Sequence, residues 1–131
     1  MSFSYTSFTA CGVLLFSASQ KLLQLSGEEA SRELLYAASH LNVLSFCSYD
    51  NTMARRLYGQ LQIIFSDIRE VTVSPVYRTM GKKNVDIKHT ALVPLSRYDA
   101  VEGAEEVSQA ILGITRSSMG LLRETLAFIG Q

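Results

Sequence analysis

The sequence lacks net charge, long apolar runs and any catalytic signature. Twelve Lys and Arg balance twelve Asp and Glu, which removes the general attraction that draws proteins to phosphate backbones or anionic membranes, so any such contact must be local. The longest apolar stretch near the start, Ala10 to Phe16, is too short to span a bilayer and has no positive residue before it. Neither a transmembrane helix nor a secretory signal fits, and an intracellular, soluble protein is expected. Cysteine is scarce: Cys11 and Cys47 are the two in the chain, both inside apolar helical patterns where a reduced, packed thiol is the common outcome. Of the two histidines, His40 lies two turns from Cys47, too far to share a metal without a third group between them. Neither His40 nor His89 lies near a nucleophile pattern such as G-x-S-x-G. No phosphate-binding loop or dinucleotide fingerprint is present, and the pairs Glu28/Glu29 and Glu105/Glu106 sit where helices should start. A non-enzyme without metal or cofactor is the expectation.

What is present is helical periodicity. With 47% hydrophobic and 18% charged residues in 131, the chain suits one domain with a core of its own. Phe8, Cys11, Leu15, Ala18, Leu22 and Leu25 repeat at alternating three and four, predicting a helix over 7–25 behind a frayed lead-in. Val13, Leu14, Phe16 and Leu23 leave this helix apolar around most of its circumference, which predicts that another chain, or segments missing from this sequence, covers part of it. Ser26 and Glu29 fit a capping box opening a helix over 26–48 through Ala30, Leu34, Ala37, Leu41 and Leu44, with Leu35, Ala38 and Phe46 widening the apolar face. Met53, Leu57, Leu61, Ile64 and Ile68 form the buried stripe of a helix over 50–70 capped by Asp50, with Arg55, Gly59, Gln62, Ser66 and Arg69 opposite. Ile63 belongs to neither face and is a candidate partner contact.

Residues 71–98 break the rhythm. Pro75, Pro94 and the turn-like Gly81 to Asn84 predict a long loop, with Val85, Ile87, Ala91 and Val93 alternating as in an irregular hairpin. Arg78, Lys82, Lys83, Lys88 and Arg97 face the single Asp86, making this the one basic patch. It reads as an anion, nucleic-acid or acidic-partner contact or as a solvated loop. Asp99 and Glu102 should cap a last helix over 99–129, with Val107, Ile111, Ile114, Leu122, Leu126 and Ile129 inward. Gly113, Ser117 and Gly120 form a row of small residues that lets another helix approach. The expected fold is all-α: four main helices, mainly antiparallel, with a long basic connection before the last. Phe8, Leu15, Ile63, Gly113 and Gly120 are the candidate partner or ligand contacts, and Arg78, Lys82, Lys83 and Lys88 the candidate basic patch.

The run YDNTMARRLYGQLQIIFSDIREVTVSPVYRTM and the later YDAVEGAEEVSQAIL resemble the C-terminal part of the helical regulatory region of fungal binuclear zinc-cluster transcription factors. Upstream, TACGVLLFSASQKLL and LLYAASHLNVLSFCSYDN are similar to the same region in order and spacing. The resemblance implies a regulatory or protein-interaction module acting in the nucleus through a partner, a homodimer or a small-molecule effector. The family's zinc cluster needs six closely spaced cysteines, so no sequence-specific DNA binding is expected from this chain alone. A bundle binding a small hydrophobic ligand and a structural oligomerisation protein are the alternatives.

Overall fold

The computed structural model describes residues 2–49, 51–89 and 101–129. Five helices account for nearly all of them: α1 (Ser2–Leu23), α2 (Gly27–Cys47), α3 (Thr52–Val73), α4 (Pro75–His89) and α5 (Ala104–Ile129). The chain is all-α, and no strand occurs among the described residues. None of these helices is long and apolar enough to cross a membrane.

Helix α1 lies at the centre, packed against α2, α3 and α5, while α3 also meets α2 and α5. Its stripe Phe8, Cys11, Leu15, Ala18 and Leu22 is fully buried, as the spacing predicts, and meets Ala30, Leu34, Ala37, Leu41 and Leu44 of α2 and Leu57, Leu61, Ile64 and Ile68 of α3 in one core. Each buried Leu, Ile or Phe in such a core contributes about 1.5–3 kcal/mol relative to exposure. Helix α1 starts at Ser2, so the expected frayed lead-in is helical. At Gly12 an added Cβ would come within 2.9 Å of Leu122 Cδ2, so the missing side chain lets α5 sit close against α1.

The turn between α1 and α2 departs from the expected capping box. Leu25 adopts a left-handed backbone with φ of 59°, Leu25 N–H donates to Leu22 O and Ser26 N–H to Lys21 O. This is a Schellman C-cap carrying leucine where glycine is usual. The Ser26 amide is thereby occupied, leaving nothing for Glu29 to cap, and the Ser26 side chain makes no capping bond. Glu29 pairs instead with Lys21 at 3.8 Å. The strain of a left-handed leucine, roughly 1–2 kcal/mol, is offset because Leu25 packs against both apolar clusters. At α3 the cap is Asn51, whose Oδ1 accepts from Ala54 N–H at 3.0 Å; Asp50, the expected cap, lies outside the described residues.

The loop expected over 71–98 is helical from Pro75 to His89. Proline at the first helical position removes an N–H that would have no partner there and presets the helical φ, so Pro75 starts α4 rather than excluding it. Ser74 is extended, as a residue before proline prefers, and its Oγ accepts from Tyr77 N–H at 3.4 Å. Val85 and Ile87 therefore belong to a helix. Ala91, Val93 and Pro94 lie outside the described residues. Helix α4 is anchored by Tyr77, whose hydroxyl donates to Leu22 O at 2.8 Å, and by Met80, which packs on Val101 and Ala104. Helix α5 begins at Ala104, five residues after the expected start, behind a turn in which Gly103 takes φ of +85°.

Burial pushes the Tyr77 hydroxyl up to about 12 from its ordinary 10.0 and the Cys11 thiol up to about 12 from 9.0. Both groups hold their protons more tightly when folded, so this stabilisation is complete below pH 9 and is lost as pH rises toward 12. Tyr77→Phe is expected to lower stability at neutral pH by about 1 kcal/mol and to flatten the alkaline loss above pH 10, measured by urea unfolding across pH.

Candidate interaction surface

Helix α2 is apolar on two sides. Its inner stripe, Ala30, Leu34, Ala37, Leu41 and Leu44, is buried. On the other side Leu35 is 71% exposed, Tyr36 59%, Val43 52% and Phe46 80%, with Tyr49 beyond the helix at 78%. At 3.6 residues per turn, Leu35, Tyr36, Ser39, Val43 and Phe46 fall within an arc of about 100°. Leu34 to Tyr49 contains no Lys, Arg, Asp or Glu, so no charge interrupts the stripe. Single exposed apolar residues are ordinary, whereas a contiguous apolar patch of several hundred Å² marks a contact site.

The sequence places the unsatisfied apolar surface on α1; the structure moves it to α2. Three helices cover α1, and of its flanking residues Leu14 and Phe16 are half-buried while Val13 and Leu23 remain exposed. Leu35 and Phe46, expected to widen the inner face of α2, point outward instead. The signal that finds this face is the uncharged run itself. A helix apolar on one side carries charges on the other, and α2 carries none over four turns.

The five candidate contacts divide. Phe8 and Leu15 are buried in the chain's own core and offer nothing to a partner in this conformation. Ile63, 63% exposed, and Gly120 line a hollow of about 420 Å³ between α3 and α5. Gly113 lines an adjoining hollow of about 560 Å³, and the two share Asp67 and Ser117. A Cβ at Gly113 or Gly120 would meet nothing within 4 Å, so packing within this chain does not require either glycine. Asp67, Glu70 and Glu106 make this groove acidic. Near one end the Arg56 guanidinium ties α3 to Glu124 of α5 at 2.6 Å.

Arg78 and Lys82 of the candidate basic patch line a groove of about 960 Å³ beside the start of α2. Arg32 joins them, but Glu28 and Glu29 line the same groove, so the patch is mixed in sign. Lys83 and Lys88 belong to α4, and their side chains lie outside the described residues. Cys11 is buried, its thiol 3.8 Å from Ala37 O, and burial keeps it protonated; the thiolate needed for nucleophilic or metal chemistry is disfavoured there. Among the described residues no group of three His, Cys, Asp or Glu could hold a metal ion.

No family model, curated protein or solved structure matches the chain.

The two faces of α2 make opposite demands on substitution. Leu44→Ala in the inner stripe is expected to cost about 2–5 kcal/mol. Phe46→Glu on the outer face is expected to change the stability of the single chain by no more than about 0.5 kcal/mol, both read from denaturant midpoints at high dilution.

Proposed function

We propose that the chain is a non-catalytic protein-interaction module of a fungal-type transcription regulator, working through the outer face of α2. The observation that carries this reading is that uncharged face, with Phe46 four-fifths exposed. Wetting it costs about 25 cal/mol per Å² of apolar area, a cost that docking relieves. The resemblance of the chain to the helical regulatory region of zinc-cluster regulators supports the regulatory role and a nuclear setting. DNA reading then belongs to another part of the regulator, and the module contributes by which protein occupies α2. Occupancy alters output by favouring one assembly state over another, as any ligand with unequal affinity for two states does.

Fused to an unrelated DNA-binding domain, the chain is expected to change expression of a reporter carrying the matching site. Phe46→Glu and Leu35→Lys should each abolish that change at equal protein level. A reporter indifferent to the wild-type fusion contradicts the regulatory role. A response that survives both substitutions assigns the activity to another surface.

A further inference from the structure

Resting on the reading of the outer α2 face as a contact surface, we infer that its occupant is a second copy of this chain, with the two α2 helices crossing antiparallel about Ser39.

The stripe is close to its own mirror sequence. Large apolar side chains, Leu35 and Tyr36, stand on one side of Ser39, and Val43 and Phe46 stand on the other. In a two-fold interface residue i meets residue j while j meets i. Antiparallel crossing about Ser39 sets residues equally far from it opposite one another, so Leu35 meets the partner's Val43 twice and Phe46 lies over the methylene stem of the partner's Arg32. The small Ser39 at the crossing lets the helix backbones approach, and close approach is what packs the flanking large residues.

Charge separates this face from the rest of the surface. Self-pairing sets a patch against the same patch, so a patch of one sign brings like charges together in a closing interface, which is costly. The α3–α5 groove, with Asp67, Glu70 and Glu106, would set carboxylate against carboxylate. The outer face of α2 has no charged side chain from Leu34 to Tyr49 and carries no such penalty. A partner chosen by electrostatics would find nothing there to recognise.

The area approaches what a stable interface needs. With about 150–250 Å² for each fully exposed aromatic side chain and the exposed fractions above, Tyr36, Phe46 and Tyr49 present on the order of 400 Å² per copy, and Leu35 and Val43 add to it. A stable interface of standard size buries about 800 Å² per partner.

The test is mass in solution against concentration, by sedimentation equilibrium on the full chain. Wild type is expected at twice the 14.5 kDa chain mass at micromolar concentration. L35K and V43E should each weaken association at least tenfold while keeping the wild-type helical circular dichroism. L35K/V43E together should restore the doubled mass, because the crossing sets the two opposite charges face to face twice. A wild type at single-chain mass throughout overturns the inference, as does a double variant that stays as dissociated as the singles. If wild type is a monomer and the reporter still responds to Phe46→Glu, the face serves a different protein. If neither responds, the contact-surface reading falls as well.

Discussion

The burial of one stripe of α1 sets the constraints on the other helices. Phe8, Cys11, Leu15, Ala18 and Leu22 need cover on more than one side, and α2, α3 and α5 each supply part of it. The hydroxyls that enter this region are bonded locally or across helices, while Glu33 Oε2 and Gln60 Oε1 are buried without a partner among the described residues. Ser17 donates to Glu33 at 2.8 Å, Ser19 to Phe16 O at 2.6 Å, and Thr115 to Ser19 at 3.2 Å. Buried hydroxyls are tolerated under those conditions, because an unmet donor or acceptor there costs about 1–3 kcal/mol.

The tight turn after α1 then settles which side of α2 meets water. Leu25 turns left-handed, Ser26 spends its amide on the end of α1, and α2 begins immediately at Gly27 with no further residues to adjust its rotation. Ala30, Leu34 and Ala37 must face α1 to close the core, so Leu35, Tyr36, Val43 and Phe46 have no inward option. The exposed apolar face is thus a consequence of packing α1 from a helix that is apolar on two sides beyond its charged first turns. Tyr77 closes the same corner from outside, its hydroxyl on Leu22 O, which holds α4 against the end of α1.

Much of this was legible from the residues. The inner stripes of α1, α2 and α3 follow the 3.6-residue period without polar interruption, and those positions are buried as their spacing predicts, except that Leu25 and Met53 at the ends are half-buried. On α5 the expected inward residue Leu122 does lie against α1 at Gly12, Leu126 does not face inward, and the Ile129 side chain lies outside the described residues; polar residues occupy the rest of the stripe. Ser118 and Thr125 are buried with hydroxyls bonded to Ile114 O and Leu121 O, so the inward row runs through Ser118, Leu121 and Thr125, and Leu126 is exposed. Pro75 reads as a breaker in the sequence, whereas with Ser74 extended before it the proline starts α4. The outer α2 face is not predicted, because the expectation turns apolar residues inward. Three of the candidate contacts, Ile63, Gly113 and Gly120, do gather along one groove, since steps of three and four on α5 bring its small residues beside α3.

Two surfaces of different character follow from one core: an uncharged apolar stripe on α2 and an acidic groove between α3 and α5. The account holds only if α1 is satisfied within its own chain, leaving α2 as the face that associates. Native-state hydrogen exchange measures this directly. The amides of Cys11 to Ser19 should exchange slowest, at a rate set by global unfolding, and their protection should remain when the protein is diluted until it is monomeric. Rapid exchange in that segment on dilution would contradict the account, because it would mean that α1 depends on another chain for its cover.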